Sequence, residues 1–211
     1  MGIVGLAAPP YRIETDRLVL RCWEPRDAPL LKEAVDVSAE HLRPWMDWLP
    51  DEPEELGTVA ERLRRFRAEF DRDENWVMGV FAPDESRVIG GTGLHQRVGP
   101  GGLEIGYWIR VDATRQGYAT ELTAALTRVA IERCGADRVE LRIDPANEAS
   151  LGVPAKLGFR EEATLRRRLV PLRDGEPRDV TIFVLFAREL GGSPCAGARY
   201  RGFDAAGRPC A

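Results

Sequence analysis

The chain is poor in the residues that build metal sites and disulfide frameworks. Its 211 residues include two histidines, His41 and His95, and four cysteines, Cys22, Cys134, Cys195 and Cys210. No two cysteines stand at a short paired spacing and neither histidine lies near two of them, so no zinc or other metal site is expected. The thiols read as free and the protein as cytoplasmic, with Cys195 and Cys210 left open as a pair under oxidising conditions. No apolar run reaches the length of a membrane span. The opening MGIVGLAAPP has no basic leader, too short an apolar stretch for a signal peptide, and no Ser or Thr at position 6 for myristoylation. A formal net charge of -4 offers no general electrostatic hold on nucleic acid. Internal repeats and low-complexity segments are absent too.

What is present is ordinary globular material, 44% apolar and 30% charged, enough for one domain with a proper core. Residues 12–22, RIETDRLVLRC, end in an alternating apolar run and read as a first strand. ProArgAsp at 25–27 opens a helix with Leu30, Leu31, Ala34 and Val35 on one side. A second helix is expected over about 54–72, carrying Leu63, Phe66 and Phe70. Strands follow at 76–82 and 87–95, joined by the turn APDES, and again at 103–111. Helix 117–134 buries Leu122, Ala125, Leu126, Val129 and Ala130. Strand 138–144, a short helix at 148–157, and two final strands joined by RDGEPR complete residues 1–190 as a single domain. The remainder, 191–211, is rich in glycine, small residues and arginine and reads as a tail with little regular structure. Strands before, between and after helices give a mixed α/β class.

One junction carries chemistry. Strand 103–111 enters helix 117–134 through DATRQGYATE. A helix start exposes free N–H groups and the positive end of the dipole, and Gly117, Ala119 and Thr120 leave room for a ligand against the backbone. A phosphate or pyrophosphate fits there. Plain turn chemistry is the competing reading, and the stretch is neither a G-x-G-x-x-G fingerprint nor a Walker loop.

A second motif, DPANEASLGVPAKLGF, sets Asn147, Ser150, Lys156 and LeuGlyPhe at fixed spacings around the short helix. With EIGYWIRVDATRQGYATE it resembles the GNAT superfamily of acetyl-CoA-dependent N-acetyltransferases. ETDRLVLR and LRPWMDW are similar to the branch of ribosomal-protein N-terminal acetyltransferases, the RimJ/RimL type, and the resemblance covers about residues 12–189. It implies a central mixed, mostly antiparallel twisted sheet with splayed middle strands and flanking helices. It implies that the pyrophosphate of acetyl-CoA rests on the backbone of Arg115, Gln116, Gly117, Ala119 and Thr120. Pantetheine would lie between strands 103–111 and 138–144, against backbone near Ile109 and Val111. Asn147 would bond the pantetheine arm or order its turn. Glu104 falls where relatives often carry a catalytic glutamate and is the candidate base; the competing reading pairs it with an arginine on a solvated face. Ser150 is the candidate acid or thiol partner by analogy, or else belongs to a helix cap. Trp45 and Trp48, with Asp47, Asp51 and Glu52, fall in the region that lines the acceptor site in this branch, where an acidic, aromatic rim suits a cationic amine. His95, at a strand end, faces either the acceptor or a structural partner.

Two positions depart from the family pattern. Thr114 stands where Gln or Arg is usual. Pro154 stands where many relatives carry a tyrosine that protonates the leaving thiolate, and its missing N–H leaves the Ser150 carbonyl without its helical donor, so a kinked or late-starting helix is expected. The expected activity is transfer of acetyl to a primary amine, a peptide or protein N-terminus. A small-molecule amine acetyltransferase and a non-catalytic coenzyme A module are the alternatives. Neither nucleic acid nor membrane is an expected partner; a homodimer is common in this branch.

Overall fold

The computed structural model describes residues 5–49, 53–172 and 175–210. Asp51 and Glu52 of the expected rim, the Asp of the RDGEPR turn and the first four residues lie outside them. Among the described residues ten strands form one sheet: β1 (Arg12–Glu14), β2 (Val19–Cys22), β3 (Trp76–Phe81), β4 (Val88–His95), β5 (Gly102–Ile109), β6 (Arg138–Ile143), β7 (Arg160–Leu169), β8 (Arg178–Phe186), β9 (Arg201–Phe203) and β10 (Pro209–Cys210). Their order is β10-β9-β1-β2-β3-β4-β5-β6-β8-β7. Every neighbouring pair is antiparallel except β5 with β6, so the mixed, mostly antiparallel sheet is as expected.

Among the described residues four α-helices cover the sheet: α1 (Ala28–Leu42), α2 (Leu56–Asp71), α3 (Tyr118–Arg128) and α4 (Glu148–Leu157). Alternation along the strands divides the apolar side chains between two cores. One joins Leu103 and Ile105 of β5 to Leu122, Leu126, Val129 and Ala130 and to Val153 and Leu157 of α4. The other joins Leu31, Ala34 and Val35 of α1 and Val59 and Leu63 of α2 to Val19, Phe81 and Val88, with Trp108 packed on it. No helix is long and apolar enough to cross a membrane, among the described residues.

Several boundaries differ from expectation for local reasons. Residues 12–22 form a hairpin, not one strand: Thr15 N–H bonds the Leu18 carbonyl at 2.9 Å, and the Thr15 hydroxyl takes the Leu18 N–H at 3.1 Å. The helix expected to 134 is α-helical to Arg128 and closes as a π-turn, Val129–Arg133. β5 stops at Ile109 because Val111 begins a tight 3-10 turn. α4 neither starts late nor breaks at Pro154; it runs from Glu148 to a left-handed Gly158.

The tail corrects the expectation most. Beyond Gly192 the chain makes a 3-10 turn, Pro194–Gly197, and adds β9 and β10 outside β1. Composition hid this because the anchors are few. Cys195 is fully buried, the Ser193 hydroxyl donates to the Leu157 carbonyl at 2.6 Å, and Arg128 donates to the Ala198 carbonyl at 2.6 Å. The sheet therefore extends through residue 210, and Cys195 and Cys210 are both free. A chain ended at Gly192 should lose about 3 kcal/mol of stability and roughly 5–10 °C in Tm by thermal unfolding; an unchanged Tm would mean that the tail is not part of the domain.

Candidate active site

β5 and β6 pair only at Gly102↔Arg138, Leu103↔Val139 and Glu104↔Glu140. Beyond that point each strand stays with its other neighbour: β5 with β4 as far as Ile109, β6 with β8 as far as Ile143. The Arg110 N–H points to β4, bonding the Ile89 carbonyl at 2.9 Å. Strand alternation then turns the N–H and C=O groups of Tyr107 and Ile109 away from β4, into the gap. Ile109 is thus available to an extended ligand. Val111 is not available in the same way, since its N–H goes to the Ser38 hydroxyl at 3.1 Å and its carbonyl accepts from the Thr114 hydroxyl at 2.9 Å.

At the gap's mouth stands the glycine turn. Gly117 caps α3 at φ 83° and Arg115 sits at φ 63°, both left-handed. Arg115, Gln116 and Gly117 are exposed, and Ala119 and Thr120 follow in the first turn of α3. That turn's N–H groups have no intrahelical acceptor. The turn is tied down from both sides. Gln116 donates to the Asp112 carbonyl at 3.1 Å. Arg17 donates to the Gln116 carbonyl at 3.0 Å and to Glu121 at 2.6 Å, and lies 4.6 Å from the centre of the Tyr118 ring. Arg17 escaped notice in the sequence, although it lies in the quoted ETDRLVLR. It brings a guanidinium beside Gly117, where phosphate charge would rest. Thr114, the departure at this turn, braces the 3-10 turn through its hydroxyl.

On the α3 and α4 face of the gap, Asn147 caps α4: its side-chain oxygen accepts the Ser150 N–H at 3.1 Å. It orders the turn, one of its two expected roles. Ser150 is the residue capped, not the cap. The Tyr107 phenol reaches across from β5 to 3.5 Å from the Ser150 carbonyl, the carbonyl that Pro154 deprives of a helical donor. Burial pushes the Tyr107 phenol up to about 12, against a lowering by the Ser150 side chain.

On the opposite face, Glu104 is buried, 4% exposed. Arg97 donates to both its oxygens, at 2.9 and 2.5 Å, and Arg142 stands 3.7 Å away. Its parallel neighbour Glu140 accepts from Arg138 at 2.9 Å and Arg142 at 3.2 Å. Glu104 is therefore paired with arginine, as its competing reading had it, but in a buried cluster. His95 lies opposite Glu104 in the β4–β5 register. Its Nδ1 meets the Asn75 side-chain oxygen at 2.8 Å, and its Nε2 edge lies over Gly93 and Gly106, where a Cβ would come within 2.9 and 3.3 Å of that nitrogen. Burial, with help from Arg97 and against Glu104, pushes the imidazole down to about 4. Trp48, 43% exposed, packs against Trp108 at 6.1 Å between ring centres, while Trp45 is half-buried in the irregular segment after α1.

The comparisons with known proteins bear on this cleft. The model of the acetyltransferase (GNAT) domain matches residues 17–160. The chain belongs to the GNAT family. The [Ribosomal protein uS5]-alanine N-acetyltransferase of Escherichia coli (strain K12) is 27% identical over 179 residues, 84% of this chain and 91% of that one. The N-acetyltransferase YoaA of Bacillus subtilis (strain 168), itself uncharacterized, is 26% identical over 172 residues, 81% of this chain and 94% of that one. The structure of Mycobacterium smegmatis RimJ in complex with CoA-disulfide superposes with a TM-score of 0.78 at 24% identity, covering 90% of this chain and 95% of that one, a likeness of fold.

This GNAT chain is thus an acetyl-CoA-dependent N-acetyltransferase, a direct acyl transfer that needs no nucleophile of its own. The cleft fits such a cosubstrate: free N–H groups and Arg17 for the diphosphate, and an unpaired strand edge for the arm.

His95 generates a pH prediction. Its folded pKa is depressed, so its contribution to stability is complete above the unfolded value near 6.5. That contribution is lost as pH falls through about 4, because only the unfolded chain takes up the proton in between. Urea unfolding from pH 7 to pH 4 should show a steeper decline for the wild type than for His95→Gln. Parallel curves would place His95 in a solvated setting.

Proposed function

We propose that the acceptor is the N-terminal amine of a peptide or protein. The observation that carries this is a pair of exposed side chains on the face that holds the buried Glu104 and His95: Trp48, nearly half exposed, and Arg97, with a side chain 64% exposed. The uS5-alanine acetyltransferase among the relatives supports the same class of acceptor. A cytoplasmic setting accompanies the reading, supported by four free thiols.

In this reading the turn 115–120 and Arg17 hold the diphosphate, and Ile109 lines the arm. Asn147 keeps α4 in register, and Trp45 and Trp48 border the acceptor. Acetyl-CoA supplies the activated acyl group. Glu104, fixed by Arg97, presents negative potential to the incoming ammonium. His95 is neutral at physiological pH and takes the proton at Nε2, its Nδ1–H held by Asn75; Glu104 steadies the imidazolium formed.

A thiol-release assay with acetyl-CoA, run on free and N-blocked peptides beside a panel of small amines, tests the acceptor. Turnover should appear with free N-termini and vanish on blocking; turnover confined to small amines would overturn the proposal. His95→Gln should lower kcat about 10²-fold and Glu104→Gln about tenfold, both with coenzyme A affinity retained. The reverse order of effects would make Glu104 the base. Gly117→Val forces a β-branched residue to a positive φ and should weaken coenzyme A binding at least about tenfold by calorimetry; unchanged affinity would remove the turn from the site.

A further inference from the structure

The resemblance puts a tyrosine hydroxyl at position 154 of α4, and Pro154 carries none. The same proline creates a second anomaly. In an unbroken helix the Ser150 carbonyl would accept an N–H from position 154, and proline has none to give. The atom that approaches this orphaned carbonyl comes from the other strand of the gap. Tyr107 lies past the last β5–β6 pair, on the face turned to α3 and α4, and its phenol crosses to Ser150 at 3.5 Å. That contact is at the outer limit of a hydrogen bond, so the donor is largely unspent. It spans the space between the strands, on the same face as the helix whose start forms the glycine turn.

We propose that Tyr107 is a catalytic residue: its hydroxyl swings from the Ser150 carbonyl to the departing sulfur of coenzyme A and stabilises the thiolate by hydrogen bonding. In the step, the amine nitrogen bonds to the acetyl carbon and the carbon–sulfur bond breaks, the sulfur keeping the electron pair. The amine proton goes to His95 on the opposite face and from there to solvent. Tyr107 keeps its own proton, because a buried phenol is a weaker acid than a thiol. The thiolate is protonated by solvent on release. Acid-side and base-side groups thus sit on the two faces of one gap.

The proposal rests on the acetyl-CoA site but not on the nature of the acceptor, and its test uses none. The pKa of the thiol of bound coenzyme A, followed by thiolate absorbance, should lie below that of free coenzyme A. Tyr107→Phe keeps the packing and removes only the hydroxyl. It should raise the bound thiol's pKa by about one unit, the worth of a hydrogen bond to a charged group, with the dissociation constant of coenzyme A unchanged within about twofold. In turnover the same variant should lose about 10–100-fold in kcat. A bound-thiol pKa that is unchanged in Tyr107→Phe, or that moves in Ser150→Ala instead, would overturn the assignment. Failure of every acceptor peptide would count against the proposed function alone, since the thiol titration still reads Tyr107.

Discussion

The structure depends on the point at which β5 and β6 stop pairing. Glu104 and Glu140 are the last residues in register, and they bring two buried carboxylates side by side. Such a pair is tenable only when neutralised. Arg97, Arg138 and Arg142 do this from the loop before β5 and from β6 itself. Past this knot the strands are held apart by their other partners. Arg110, 3% exposed, bonds Glu33 of α1 through two nitrogens at 2.8 Å and Asp112 at 2.7 Å, so the end of β5 is anchored away from β6. An open backbone edge within a sheet costs on the order of 1–3 kcal/mol per unmet buried group unless water or a ligand meets it. The cleft is therefore a preformed strand-shaped site.

The parting also divides the chemistry. Side chains alternate along β5, so Glu104, Gly106 and Trp108 look toward α1 and α2 while Tyr107 and Ile109 look toward α3 and α4. One face holds an imidazole kept neutral by burial and a carboxylate kept in place by arginine. The other holds a phenol beside a helix with a missing hydrogen bond. The glycine turn closes the far end, with Arg17 stitching the β1–β2 hairpin to α3 through Glu121. No metal-ligating cluster of three or more side chains occurs among the described residues.

Much of this was legible in the sequence. The stripe Leu122, Ala125, Leu126, Val129 and Ala130 marked the buried face of α3 and of the π-turn that follows it. The glycine before YATE marked the helix start. Contacts distant along the chain were not legible. Arg17 meets Gln116 across nearly a hundred residues, and no local pattern announces that. The arginine partner weighed for Glu104 could not be named or placed in a buried cluster, because Arg97 and Arg142 arrive from a loop and from a strand that becomes its neighbour only in the fold. Pro154 looked like damage to α4, since the phenol near its orphaned carbonyl belongs to another element. The tail looked unstructured because composition cannot reveal that Cys195 has a socket beside Leu157.

The central claim is that the unpaired edge of β5 and the first turn of α3 form one continuous surface for coenzyme A. Backbone amide resonances followed during titration with coenzyme A test it directly. The account predicts large, saturable shifts at Gly117, Ala119 and Thr120 together with Tyr107 and Ile109, and little change along β9 and β10. Saturable binding that leaves those amides unmoved, or that shifts residues on only one side of the gap's mouth, would contradict it.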